Sequence, residues 1–268
     1  MKDENLYIVT GGNYNKLYKY KFGDKKMEQK IDLKYNHSNG GIISFNEEII
    51  ILSGNYNKKV EVFSESNNIY FELPEMQIER SYFSSCIIKN RFLFIFFGYN
   101  YPSKMYLDTI EYFDILNYDI NLYSHNNSKQ KNICWKYLKY NYFSSNPSNE
   151  NINLIGGLAI NYLNEKIILL GGIKKLDEEN NNKGYYQFIF DENDLERNGI
   201  NSYIEKISVK NLNKFDNNYL FNYNFKYIEE LNRNNNMKEP TFAAFDSNYN
   251  AHLIKLSTMN HEIFHFNN

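Results

Sequence analysis

Apolar runs recur along this chain, the first three at near-constant spacing, and most of them end in glycine. LYIVTGG (6–12), IIILSG (49–54), FLFIFFG (92–98) and KIILLGG (166–172) have this form, and AHLIKLS (251–257) is a fifth run without the glycines. GNYNK at 12–16 returns unchanged at 54–58, an offset of 42, and Gly98 follows Gly54 by 44. Beyond each loop, aromatic and β-branched residues alternate with polar ones: KLYKYKF (16–22), KVEVFSE (59–65), TIEYFDI (109–115) and GYYQFIF (184–190). Such period-two alternation predicts half-buried strands. Another strand is predicted after each, in KMEQKIDL (26–33), IYFELPEM (69–76) and CWKYLKYN (134–141), with SYIEKISV (202–209) the weakest match. One more precedes the glycine run, as in SYFSSCIIKN (81–90) and GGLAINYLN (156–164). Four strands in each repeat of 42 to 44 residues, closed by turns, form a propeller blade.

The residues that punctuate this pattern resemble those of the kelch repeat family. The stretch from Gly54 to Gly98 matches best: a glycine ends the second strand and Val62 and Phe63 fill the third. Tyr70 takes the usual tryptophan place, Leu73-Pro74-Glu75-Met76 gives the LPxM turn, and Arg80 opens the next unit. Trp135, the only tryptophan, holds the fourth-strand aromatic position one unit later. The pairs Gly11-Gly12 and Gly171-Gly172 complete the set of repeat glycines. A WD40 propeller is the rival, but no GH…WD signature is present.

The resemblance implies an all-β propeller of four-stranded blades, with units near 1–36, 37–79, 80–150, 151–212 and 241–268 and an irregular 213–240. That is four to five blades, either an incomplete ring with an open edge or a fragment of a larger propeller. Three polar stretches, 117–132, 174–184 and 232–240, are expected as loops without fixed structure. The resemblance further implies a protein-interaction module without catalytic activity or cofactor, whose partner is a protein. Some kelch-like propellers are instead oxidases or isomerases. The oxidase type needs a copper site of tyrosine, cysteine and histidine, and no such convergence shows here.

Charge and cysteine content narrow the function classes. Thirty Lys and Arg are interspersed with 32 Asp and Glu, so no basic patch predicts nucleic acid. Cys86 and Cys134 are far apart, which suggests neither a disulfide framework nor a zinc knuckle. No run approaches the ~18 apolar residues of a membrane helix, so a cytoplasmic protein with no membrane partner is expected.

One motif calls for chemistry. HEIFH, His261 to His265, spells the HExxH of zinc hydrolases, which binds metal only on a helix, where i and i+4 are roughly 6 Å apart. In a strand they stand about 13 Å apart and cannot share an ion. The repeat places EIFHF in register with VEVFS and IEYFD, which predicts a strand and no metal site. His37, His125 and His252 are expected to be ordinary surface or satisfied polar residues, and Arg80 a structural anchor rather than a ligand for carboxylates. The candidate partner surface is the set of loops after the blade glycines: Asn13, Tyr14, Asn55, Tyr56, Tyr99, Asn100 and Tyr101. Tyrosine and asparagine together suit recognition, because large amphipathic rings lose few rotamers and amides adapt their hydrogen bonds.

Overall fold

The computed structural model describes residues 5–11, 14–21, 26–46, 48–117, 134–143, 155, 157–162, 164, 166–170, 185–195, 202–207, 241–245, 251–255 and 260–264. Among them the chain is all-β, apart from a 3-10 turn at Ile115–Asn117 and one helical turn at Glu192–Leu195. The first sheet has β1 (Asn5–Thr10), β2 (Lys16–Lys21) and β3 (Lys26–Asp32). The second runs in chain order through β4 (Gly41–Phe45), β5 (Glu48–Gly54), β6 (Asn57–Ser64) and β7 (Ile69–Leu73). The third is β8 (Ser84–Ile88), β9 (Phe92–Phe96), β12 (Ile110–Asp114) and β13 (Lys136–Leu138). A two-stranded ribbon, β10 (Tyr99–Asn100) with β11 (Met105–Tyr106), interrupts it after the glycine. The fourth is β15 (Leu158–Tyr162), β16 (Lys166–Leu170), β17 (Tyr185–Ile189) and β18 (Tyr203–Ile207). The last is β19 (Thr241–Phe245), β20 (Ala251–Lys255) and β21 (Asn260–Phe264).

All of these pairings are antiparallel, and one further pairing is not. The short strand β14 (Asn141–Phe143) adds to the fourth sheet in parallel with β18. The repeat pattern gave no sign of it.

The second strands carry unbroken apolar runs because both faces are covered. Along β5, Ile49 and Ile51 join Leu17, Leu33 and Phe63 in a core shared with the first sheet. Ile50 and Leu52 point the other way, with Val60, Val62, Leu73 and Met76, onto Leu93, Ile95, Phe113 and Trp135 of the third sheet. Phe92, Phe94 and Phe96, from the opposite face of β9, meet Ile167, Leu169, Phe188 and Ile204 of the fourth. Each strand therefore splits its side chains, by the period of two, between successive sheets. Asparagines at the turns after β4, β8 and β15, namely Asn46, Asn90 and Asn164, take positive φ of 46°, 48° and 58°, a conformation asparagine tolerates better than most residues.

HEIFH falls on β21 through Phe264, where His261 stands opposite Ile254 of β20; His265 lies outside the described residues. No helix among the described residues is long and apolar enough to cross a membrane. The stretches 118–133, 171–184 and 208–240, with most of the predicted polar loops, also lie outside them.

Candidate functional site: the tyrosine-bearing loops

The loops at the glycine ends of the second and third sheets are held by one buried linkage, built twice. In the second sheet Glu61, fully buried on β6, accepts hydrogen bonds from the backbone N–H groups of Lys34 (2.8 Å) and Tyr35 (3.3 Å) in the connection from the first sheet. In the third, buried Glu111 on β12 accepts from the N–H groups of Gln77 (2.7 Å) and Ile78 (3.2 Å). Each carboxylate also meets a buried basic side chain from the same connection. His37 Nε2 lies 2.5 Å from Glu61 Oε2, and Arg80 Nη2 donates to Glu111 Oε1 at 2.5 Å. The far side of each base reaches the carbonyl before the glycine: His37 Nδ1 to Ser53 O at 2.5 Å, Arg80 Nη1 to Phe97 O at 2.7 Å. The three contacting residues of the two connections are 43 positions apart throughout.

The backbone repeats as faithfully. Ser53 and Phe97 have φ of 42° and 58°, and Gly54 and Gly98 follow with 137° and 98°. A Cβ on Gly54 would lie 2.8 Å from the His37 backbone, and one on Gly98 2.7 Å from the Ser81 carbonyl oxygen. Glycine is required at both for conformation and for close approach. Asn55 N–H then donates to Ser38 O (2.9 Å) and Tyr99 N–H to Ser81 O (2.8 Å), while Tyr82 N–H reaches Asn39 O (2.9 Å), joining one connection to the next.

On this frame the tyrosines gather. Tyr101 lies 5.5 Å from Tyr56, 5.0 Å from Tyr99 and 6.3 Å from Tyr82, ring centre to ring centre, and Tyr99 is 5.2 Å from Tyr106. The Tyr82 and Tyr101 hydroxyls are 3.0 Å apart. That hydrogen bond, and burial after it, push the Tyr101 phenol up to about 12, so it stays neutral at physiological pH and serves as a contact and hydrogen-bonding group rather than as a base. Tyr56 is 67% exposed, so the cluster opens to solvent on that side.

The predicted loop residues thus divide. Tyr56, Tyr99 and Tyr101 come together, and Asn55 Oδ1 accepts from Asn39 and Ser81 at their base. Asn100 is turned inward: its amide donates to Glu79 O (2.8 Å) and its oxygen accepts from Ser103 N–H (2.8 Å). Tyr14 is 69% exposed, beside the first sheet. Asn13, Gly12, Gly171 and Gly172 lie outside the described residues, and Gly11 packs so closely on Ser38 that a Cβ would overlap its hydroxyl. Tyr82 and Tyr106 were not singled out by sequence; Tyr82 lies in the connection rather than the loop, and Tyr106 on the ribbon that lengthens this loop.

Arg80 is fully buried, with further bonds to Thr109 O (3.1 Å) and Thr109 Oγ1 (3.2 Å), so it anchors the fold and offers no face to a ligand. Tyr70 donates to Glu61, and burial, with that hydrogen bond after it, raises its phenol above the ordinary value. Trp135, just ahead of β13, is buried with its Nε1–H on Pro74 O (2.8 Å) and its ring 5.2 Å from Phe113. Burial pushes the Cys86 thiol up, as befits a small core residue. Among the described residues no three His, Cys, Asp or Glu side chains are grouped to hold a metal ion.

No family model matches the sequence, and no match is found among curated proteins. Among solved structures the chain is similar to that of YjhT, with a TM-score of 0.54 and 11% identity over 79% of this chain. The match spans 64% of the YjhT chain, and at that identity the likeness is one of fold.

Proposed function

We propose that this chain is a kelch-type β-propeller that acts by binding another protein, with the tyrosine-bearing loops as its contact surface. What supports the fold half of the reading is the repetition, in consecutive sheets, of one glutamate, one buried base and one glycine turn with matching hydrogen bonds. What carries the functional half is the convergence of Tyr56, Tyr82, Tyr99, Tyr101 and Tyr106 at one loop end, with Tyr56 largely exposed. Rigid rings that present both an apolar face and a hydroxyl dominate protein recognition surfaces.

The double variant Tyr56→Ala/Tyr101→Ala tests it. Proteins co-isolated with the wild type and with the variant are compared by quantitative mass spectrometry, with circular dichroism to check that both fold alike. Loss of a discrete protein from the variant supports the surface; identical sets with an intact fold place the contact elsewhere. A crystal structure with the sheets arranged about one axis would support the propeller, and an open stack would overturn it.

A further inference from the structure

One position breaks the apolar packing between the second and third sheets. Glu48, the first residue of β5, continues the row of Ile50 and Leu52 that faces the third sheet. Phe92, the first residue of β9, stands 44 residues later, the same offset as Gly98 from Gly54. The facing strands match as well: Leu93 pairs with Phe113 and Ile167 with Phe188, and two residues beyond lie Ile115 and Phe190. In the later interface Phe92 and Phe190 are buried edge to face, with ring centres 6.1 Å apart. In the earlier one the same two places hold Glu48 and Ile115, and both line a cavity of about 190 Å³. Phe45, Ile50, Val62 and Phe71, one from each strand of the second sheet, form its other walls, and Leu116, 65% exposed, marks its open side. Glu48 is half-buried, and among the described residues no hydrogen bond or ion pair reaches its carboxylate. Burial, with no cation to oppose it, raises the carboxyl above its usual value. A charge held against apolar walls costs stability until it gains a counter-ion.

We propose that this cavity is a binding site for a small organic ammonium ion bearing one aromatic ring, with Glu48 taking the ammonium group and the apolar walls the ring. An apolar void of about 150 Å³ already accepts benzene, so there is room for a ring on a short chain. The ring supplies the packing that Phe92 and Phe190 provide one interface later. The ammonium group donates to the carboxylate in a charge-assisted hydrogen bond. Phe45 and Phe71 make the walls aromatic, which favours a cation over a neutral ligand of the same shape. The site lies at the start of β5, the end away from Gly54, and so is separate from the tyrosine loops.

The test titrates phenethylamine, and 2-phenylethanol as its uncharged counterpart, into the wild type and Glu48→Gln at about pH 7.5, where an amine is protonated and a carboxyl ionised. Backbone amide NMR is the readout. The amine should shift the amides of Phe45, Glu48, Ile50 and Ile115 and leave those of Tyr56 and Tyr101 in place. The wild type should bind the amine at least about tenfold more tightly than it binds the alcohol, and than Glu48→Gln binds the amine, as loss of a hydrogen bond to a charged group implies. Amine and alcohol binding alike, equal amine affinity in Glu48→Gln, no shifts at the cavity, or shifts centred on the tyrosine loops overturns the site. Should Glu48→Gln fail to fold, the two ligands on the wild type decide alone.

Discussion

Arg80 shows why a buried charge in a repeat has to be judged with its partner. Its guanidinium and the Glu111 carboxylate are both sealed from water, and the carboxylate also receives the Gln77 and Ile78 N–H groups. Arg80→Met should cost about 3–5 kcal/mol, because it leaves an uncompensated charge. Adding Glu111→Met should recover part of that but not all, since two backbone donors are then orphaned at about 1–3 kcal/mol each. Urea denaturation of the single and double variants checks the order; a double variant no more stable than the single one would refute it. Gly98→Ala should cost more than about 1 kcal/mol, because alanine at φ 98° is strained and its Cβ meets the Ser81 carbonyl. A thermal midpoint unchanged from wild type would count against that assignment. Gly54 and Gly98 were legible in the sequence because the repeat sets them 44 residues apart, whereas Arg80 stood out only by its resemblance to the arginine that opens a kelch unit. His37 was not legible, although it stands 43 residues before Arg80: histidine among polar neighbours gives no sign of burial, and only the contacts reveal that it fills an arginine's place.

At the scale of elements, the strands were legible wherever alternation or an apolar run ended in a turn signal, and all-β structure follows from that alone. β14 was not, because three residues are too few to carry a period. Nor was the attachment of the first sheet to the second. Glu65, at the end of β6, binds Lys19 from β2 at 2.7 Å, Lys30 from β3 at 3.0 Å and the Tyr7 hydroxyl from β1. Burial by itself would raise Glu65, but Lys19, Tyr7 and Lys30 hold it down at about 2 from an ordinary 4.5. A carboxylate depressed on folding contributes stability that is fully present above its unfolded value and lost as pH falls through the folded one. Between about pH 4.5 and about pH 2 the first sheet should therefore lose hydrogen-exchange protection relative to the third. In Glu65→Gln this differential loss should disappear, with protection of the first sheet lower throughout. If the variant keeps the same acid dependence, the anchor lies elsewhere. The sequence showed an acidic residue at the end of an alternating strand, which is commonly a solvated position; what makes it an anchor is a lysine forty-six residues away.

At the scale of the molecule, the cores formed by the described residues lie between sheets rather than within them. One joins the first sheet to the second, another the second to the third, and another the third to the fourth. Such an arrangement behaves as a row of units coupled to nearest neighbours, so a change at one interface acts mainly on the two sheets that share it. Trp135 is the sharpest probe, since its indole closes the second interface against Leu73, Met76 and Phe113 and bonds the Pro74 carbonyl across it. Trp135→Ala should destabilise by about 3–5 kcal/mol, the cost of a large aromatic cavity. Hydrogen exchange should show where that loss falls: protection should drop in β5 to β9 and in β12, and much less in β16 and β17. A loss under about 1 kcal/mol would mean that the ring is not sealed between the sheets. Uniform loss of protection across all sheets would instead mean that they unfold as one cooperative body, as a ring closed on itself would favour over an open row.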